Sequence, residues 1–190
     1  MWTHTSTGRP MGTPRKRRSS KNPMAPLGVV FLANRGNLTR PKLYEAIRGR
    51  LGKEPGCSEI RVRPSRARPR SVEAQVRPET FLRREYAADD ATLTVRFAYP
   101  RAADYEYYAV EWSEADRDVG FGWHRDESHP DLGECHFQID HAGRTVERQS
   151  ARFVDEHPLE VLETRLAQLR TILPQVRWTH GEPAIPENGL

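Results

Sequence analysis

Residues 92–100, TLTVRFAYP, alternate in polarity one residue at a time, and this stretch constrains the fold of the chain most tightly. Leu93, Val95, Phe97 and Tyr99 fall on one side and Thr92, Thr94 and Arg96 on the other, the period of a half-buried strand. DYEYYAVEW at 104–112 repeats the pattern, setting Tyr108, Val110 and Trp112 against Tyr105, Tyr107 and Ala109. Asp116 and Asp118 mark a turn into a strand that reaches Trp123, and HAGR at 141–144 marks another after Ile139, with a short strand expected at 145–149. In HPLEVLETRLAQLRTILP at 157–174, Leu159, Leu162, Leu166, Leu169, Ile172 and Leu173 draw one apolar stripe along a helix. Pro158 suits its first turn and Pro174 ends it. A sheet with one apolar face and a helix with one apolar stripe bury each other. The expected fold is α+β, an antiparallel β-meander of about four to six strands packed against a C-terminal amphipathic helix.

Charge divides the chain. Residues 1–78 carry 18 Lys and Arg against 4 Asp and Glu, whereas residues 79–175 carry 11 against 20, so the overall net charge of +4 conceals two oppositely charged pieces. Residues 1–78 read as a basic, Pro/Arg-rich extension, mostly disordered, with a short strand–helix unit at 27–51 and an edge-like strand at 59–63 inside a linker. Residues 79–175 read as the α+β domain and 176–190 as a flexible tail. The basic residues between 9 and 70 suit nonspecific contact with nucleic-acid phosphates. Lysine stops at Lys53. An acidic, lysine-free surface holds water in high salt, as in a halophile, and biased base composition produces the same arginine usage. Cys57 and Cys135 form no disulfide framework, which points to a reducing compartment. LGVVFLA at 27–33 is too short to span a bilayer, so a cytoplasmic protein without a membrane segment is expected.

Residues 121–141, FGWHRDESHPDLGECHFQIDH, hold four of the seven histidines and one of the two cysteines. Read as two strands joined by a loop, they turn Phe121 and Trp123 to one face, with Cys135, Phe137 and Ile139 on one face of the partner strand. His124 and His136 then share the opposite face, with His129, Asp126 and Asp131 in the loop able to fold over them. Three readings stay open. Two imidazoles can exchange acid and base roles in RNA cleavage, which makes His124, His136, His129, Arg125 and Asp126 the candidate catalytic residues. The same histidines with Cys135 offer metal-ligand atoms, yet their spacing matches no zinc signature and Cys135 points away from His136, so no metal or cofactor is assigned. Polar side chains on an exposed strand face can equally make only local hydrogen bonds. Tyr105, Tyr107, Tyr108 and Trp112 are interleaved with carboxylates that repel phosphate, so they read as packing or a protein interface.

The order of strands, then WHRDESHP at 123–130, ECHF at 134–137 and FVDEHPLEVLETRLAQLR at 153–170, resembles a group of small uncharacterised proteins of halophilic archaea. That group is similar in layout to the TumE-like toxins of prokaryotic toxin–antitoxin pairs. The resemblance covers residues 80–173 and carries over Trp123, His124, Arg125, Asp126, His129, Pro130, His136 and Phe137. The chain departs from the pattern with Cys135-His136 where an H-x-H pair is expected. What the resemblance implies is a toxin-type component acting against nucleic acid or translation, with a cognate antitoxin protein as partner. The alternative is a noncatalytic binding module, its basic arm holding nucleic acid and its acidic domain a partner protein.

Overall fold

A computed structural model of the chain describes residues 39–98, 107–125, 129–152 and 157–186. The α+β architecture expected from the alternation is the one adopted: a seven-stranded antiparallel sheet in sequence order, backed on one face by helices. Helix α1 (Arg40–Leu51) comes first, then strands β1 (Cys57–Pro64) and β2 (Pro69–Val76) and the short helix α2 (Pro78–Leu82). Strands β3 (Ala91–Ala98), β4 (Tyr107–Glu114), β5 (Val119–Arg125), β6 (His136–His141) and β7 (Arg144–Ser150) complete the meander. Helix α3 (Pro158–Ile172) follows, and β8 (Arg177–Thr179) with β9 (Glu182–Ala184) form a separate hairpin.

One face of the sheet is apolar because inward residues sit in register across neighbouring strands. Val95, Val110, Trp123 and Phe137 form one such row, and Leu93, Trp112, Phe121 and Ile139 the next. All eight are buried beneath Leu43, Ile47 and Leu51 of α1 and the α3 stripe of Val161, Leu162, Leu166, Leu169 and Ile172. Each large side chain buried in that stripe contributes on the order of 1.5–3 kcal/mol. Five of them together rival the roughly 5–15 kcal/mol net stability of a typical domain, so α3 is inseparable from the sheet. Its start is fixed by His157, whose Nδ1 accepts from the Leu159 N–H at 3.2 Å. At the other end of the sheet Tyr44 stitches α1 across two strands: its hydroxyl accepts from the Phe97 N–H at 3.0 Å and donates to the Arg70 carbonyl at 2.6 Å.

The ordered unit begins earlier than the boundary at 79 expected from charge. Helix α1 and strands β1 and β2 belong to the same core, with Val72, Ala74 and Val76 fully buried. Arginine and proline, which suggested a linker, lie largely on β1 and its turn, at the sheet edge, where they discourage pairing with another chain. The expected flexible tail is also corrected over 177–184, where Arg177–Thr179 pairs with Glu182–Ala184 and Ile185 inserts into the core. His180 and Gly181 both have positive φ, the backbone of a two-residue hairpin turn, and glycine makes the second position easy. The expected strand at 27–33 and the leader before it lie outside the described residues.

Candidate functional site

The opposite face of the sheet carries short and polar side chains. Its rows run Thr92, Ser113, Gly120, Asp140, Thr145; then Thr94, Glu111, Gly122, Gln138, Arg148; then Arg96, Ala109, His124, His136, Ser150. Strand alternation puts each histidine here because its neighbours Trp123 and Phe137 are committed to the core.

His124 and His136 are direct register partners on β5 and β6, and their rings stack with centroids 5.5 Å apart and planes 13° from parallel. His129 precedes a 3-10 turn at Pro130–Leu132 and meets the His136 ring edge-on, at 5.0 Å and 86°. Three of the imidazoles singled out by the sequence therefore form one cluster. His136 is its buried member at 2% exposure, while His124 and His129 are half-buried. Asp126 lies outside the described residues, and Asp131 is exposed in the turn.

Arg125 does not join the histidines. It stands opposite Tyr108 in register, hence on the core side of the sheet, where its charge acts on Cys135. Cys135 also faces that way: its Sγ lies 3.2 Å from the Tyr108 hydroxyl and 3.4 Å from a terminal nitrogen of Arg165, and burial pushes the thiol up from its ordinary value. Arg144 pairs with Glu182 near the other end of β7. The charged neighbours that alternation did bring to the histidine face are Glu111 and Arg96. A Glu111 oxygen lies 3.8 Å from His124 Nε2, and its other oxygen accepts from Arg96 at 2.5 Å. This trio was missed at the sequence level because it spans three strands. Its signal was the polar face of 92–100 and 107–114, readable only with the register in hand. Beyond it, Arg148 donates to Gln138 at 2.9 Å, and Thr145 donates to Asp140 at 2.6 Å.

Gly122 makes room for this arrangement. A Cβ there would sit 2.9 Å from the Val110 carbonyl oxygen, 3.1 Å from Glu111 Cα and 3.2 Å from its Cγ, so Glu111 lies directly over it. Two of those contacts are backbone and cannot yield without prying β4 from β5. Gly122→Ala is expected to destabilise by about 1–3 kcal/mol, whereas Gly120→Ala, whose nearest contact would be 3.8 Å, should change stability by no more than about 0.5 kcal/mol. Urea unfolding of the two variants checks this, and equal midpoints would show that β5 is not held this closely.

Among the described residues, no group of three His, Cys, Asp or Glu side chains is arranged to hold a metal ion. The stacking explains this geometrically, since ring nitrogens bind in the plane of the imidazole and parallel planes do not converge on one point. What the cluster can do is move protons: two half-buried imidazoles rest on a third, one of them 3.8 Å from a carboxylate oxygen. Among the described residues, no helix is long and apolar enough to cross a membrane. No protein-family model matches the chain, and neither a curated protein nor a solved structure matches it.

Proposed function

We propose that this chain is a TumE-like toxin-type component of a prokaryotic toxin–antitoxin pair, acting on RNA in the cytoplasm through the histidine cluster of β5 and β6 and held in check by a cognate antitoxin protein. The observation that carries the reading is the stacked His124–His136 pair with His129 against it, on the sheet face that no helix described here covers. The sequence order from Trp123 to α3, which resembles the TumE-like group, supports it as well.

In this mechanism His129 takes the proton of a ribose 2′-hydroxyl as the 2′-oxygen attacks phosphorus. The bond from phosphorus to the 5′-oxygen breaks, and His124 gives that oxygen its proton, leaving a 2′,3′-cyclic phosphate. Glu111 lies 3.8 Å from His124 Nε2, on the same sheet face as this proton donor. His136 is a positioning residue, too buried to meet the substrate and in contact with both outer rings.

Expression of the chain without its partner is expected to arrest growth and cleave RNA. His124→Ala with His129→Ala should lower the cleavage rate at least about 100-fold, within the usual range for lost acid–base catalysis. Growth arrest that persists with both imidazoles gone would sink the catalytic reading. The burial of His136 favours a second reading, a noncatalytic module that binds nucleic acid and a partner protein; RNA bound but left intact by the purified chain would select it.

A further inference from the structure

The helix-covered side of the molecule holds two shallow cavities that adjoin across the turn after α2. The first, of about 400 Å³, is lined by Arg50, Lys53, Arg83 and Arg170 around Glu54. The second, of about 390 Å³, is lined by Arg84, Tyr86, Arg117 and Trp178, with the carboxylate of Glu85 also on its wall. Arg83 and Arg84 are consecutive, and Arg170 sits one turn before Leu173 and Pro174 of the second cavity, so the two cavities neighbour each other near the end of α3 and are taken together as one groove.

Cations converge on it from α1, the turn after α1, the turn after α2, the β4–β5 turn and the last turn of α3. Some are neutralised internally: Arg50 and Arg170 both bind the buried Glu54, Arg50 also binds Glu163, and Arg117 binds Glu114 at 2.8 Å. Lys53, Arg83 and Arg84 have no ion pair among the described residues. At the far end lies Trp178, 38% exposed, the large apolar side chain most open to solvent among the described residues. The Arg117 guanidinium lies 4.7 Å from its ring centre and 5.8 Å from that of Tyr86, and His141 abuts it edge-on. The indole is therefore held in place while part of it faces solvent.

We infer that this groove binds single-stranded nucleic acid, with backbone phosphates along Lys53, Arg83 and Arg84 and a base on Trp178. Uncompensated cations beside a fixed aromatic platform are what an unpaired strand requires, since every base offers a face to stack and every phosphate a charge. Each cavity is of the size that takes a nucleotide-scale ligand. A duplex hides its bases and gains nothing from Trp178. The site is separate from the histidine cluster, on the other side of the sheet, and stands whether or not those imidazoles cleave RNA.

The test is fluorescence anisotropy of the full chain with a labelled single strand of about twelve nucleotides and with the matching duplex, at several salt concentrations. Trp178→Ala should weaken single-strand binding about tenfold and leave duplex binding, which the basic leader can supply alone, unchanged. Trp178→Phe, which keeps a stacking ring, should restore most of it. Arg83→Glu with Arg84→Glu should weaken the single strand and flatten its log-affinity against log-salt slope by about 1.4, two phosphates at roughly 0.7 each. Should that variant fail to fold by circular dichroism, Lys53→Glu tests the same prediction at an exposed position, with a flattening of about 0.7 for its one phosphate. A DNA strand, which has no 2′-hydroxyl for the histidines to activate, keeps this readout apart from the proposed chemistry. Undiminished single-strand affinity in Trp178→Ala, equal losses for duplex and single strand, or displacement by polyglutamate as effective as by RNA would each overturn the inference.

Discussion

Glu114→Ala is expected to lower the unfolding free energy by about 3–5 kcal/mol, among the largest losses available to a single substitution in this chain. Glu114 is 1% exposed, and its carboxylate accepts from three donors: the Trp112 indole at 2.9 Å, the Tyr86 hydroxyl at 2.7 Å and the Arg117 guanidinium at 2.8 Å. Trp112 is fully buried and has no route to water, so truncation strands its N–H, and the Tyr86 hydroxyl loses an acceptor that burial makes hard to replace. Arg117 can swing outward, which keeps the loss at the lower part of that range. Glu114→Gln retains the shape and one carbonyl acceptor and should cost only about 1–3 kcal/mol. Denaturant midpoints at unchanged slope give both values. An alanine variant less than about 1 kcal/mol below wild type would mean that this network does not hold the β4–β5 turn.

Arg165 carries the second large effect, and here the sign depends on the replacement. The side chain is fully buried on α3, donating to the Tyr108 hydroxyl at 2.7 Å, the Arg152 carbonyl at 2.8 Å and Gln168 at 2.6 Å, with its guanidinium over the Trp123 ring at 5.1 Å. Its Nε has no acceptor, and among the described residues no carboxylate pairs with it. Neutral oxygens and ring faces replace only part of the hydration that a cation gives up. Arg165→Ala removes both bulk and bonds and should cost about 3–5 kcal/mol. Arg165→Met keeps much of the volume and discards the charge, so it should fall within about 1 kcal/mol of wild type or exceed it. A methionine variant as unstable as the alanine variant would show that the charge itself is required.

Much of the sheet was legible because its inward residues are large and its outward ones are not. The alternation of Leu93, Val95 and Phe97, and of Tyr108, Val110 and Trp112, needs only one buried face to be read as strand. The α3 stripe was equally plain. The edge strand expected at 59–63 is β1, whereas β2 was obscured: Val72, Ala74 and Val76 alternate just as cleanly, but Arg and Pro on the neighbouring edge strand dominate the composition. The C-terminal hairpin has strands of three residues, shorter than a periodic pattern needs. In the candidate site, the shared face of His124 and His136 followed from two committed neighbours, Trp123 and Phe137. The displacement of Arg125 follows from the same rule applied one residue further. Glu111 and Arg96 were out of reach because register across three strands is a tertiary fact that no local pattern encodes.

The strictly sequential strand order bears on how the chain is made. Every strand of the sheet hydrogen-bonds only to the one before and the one after it, so pairing can advance hairpin by hairpin as residues 57–150 leave the ribosome. Their greasy side has little cover until α3, the last large element, arrives to meet α1. Synthesis that stops anywhere before residue 158 therefore yields an assembled but half-clad sheet, the kind of species that chaperones capture and proteases clear.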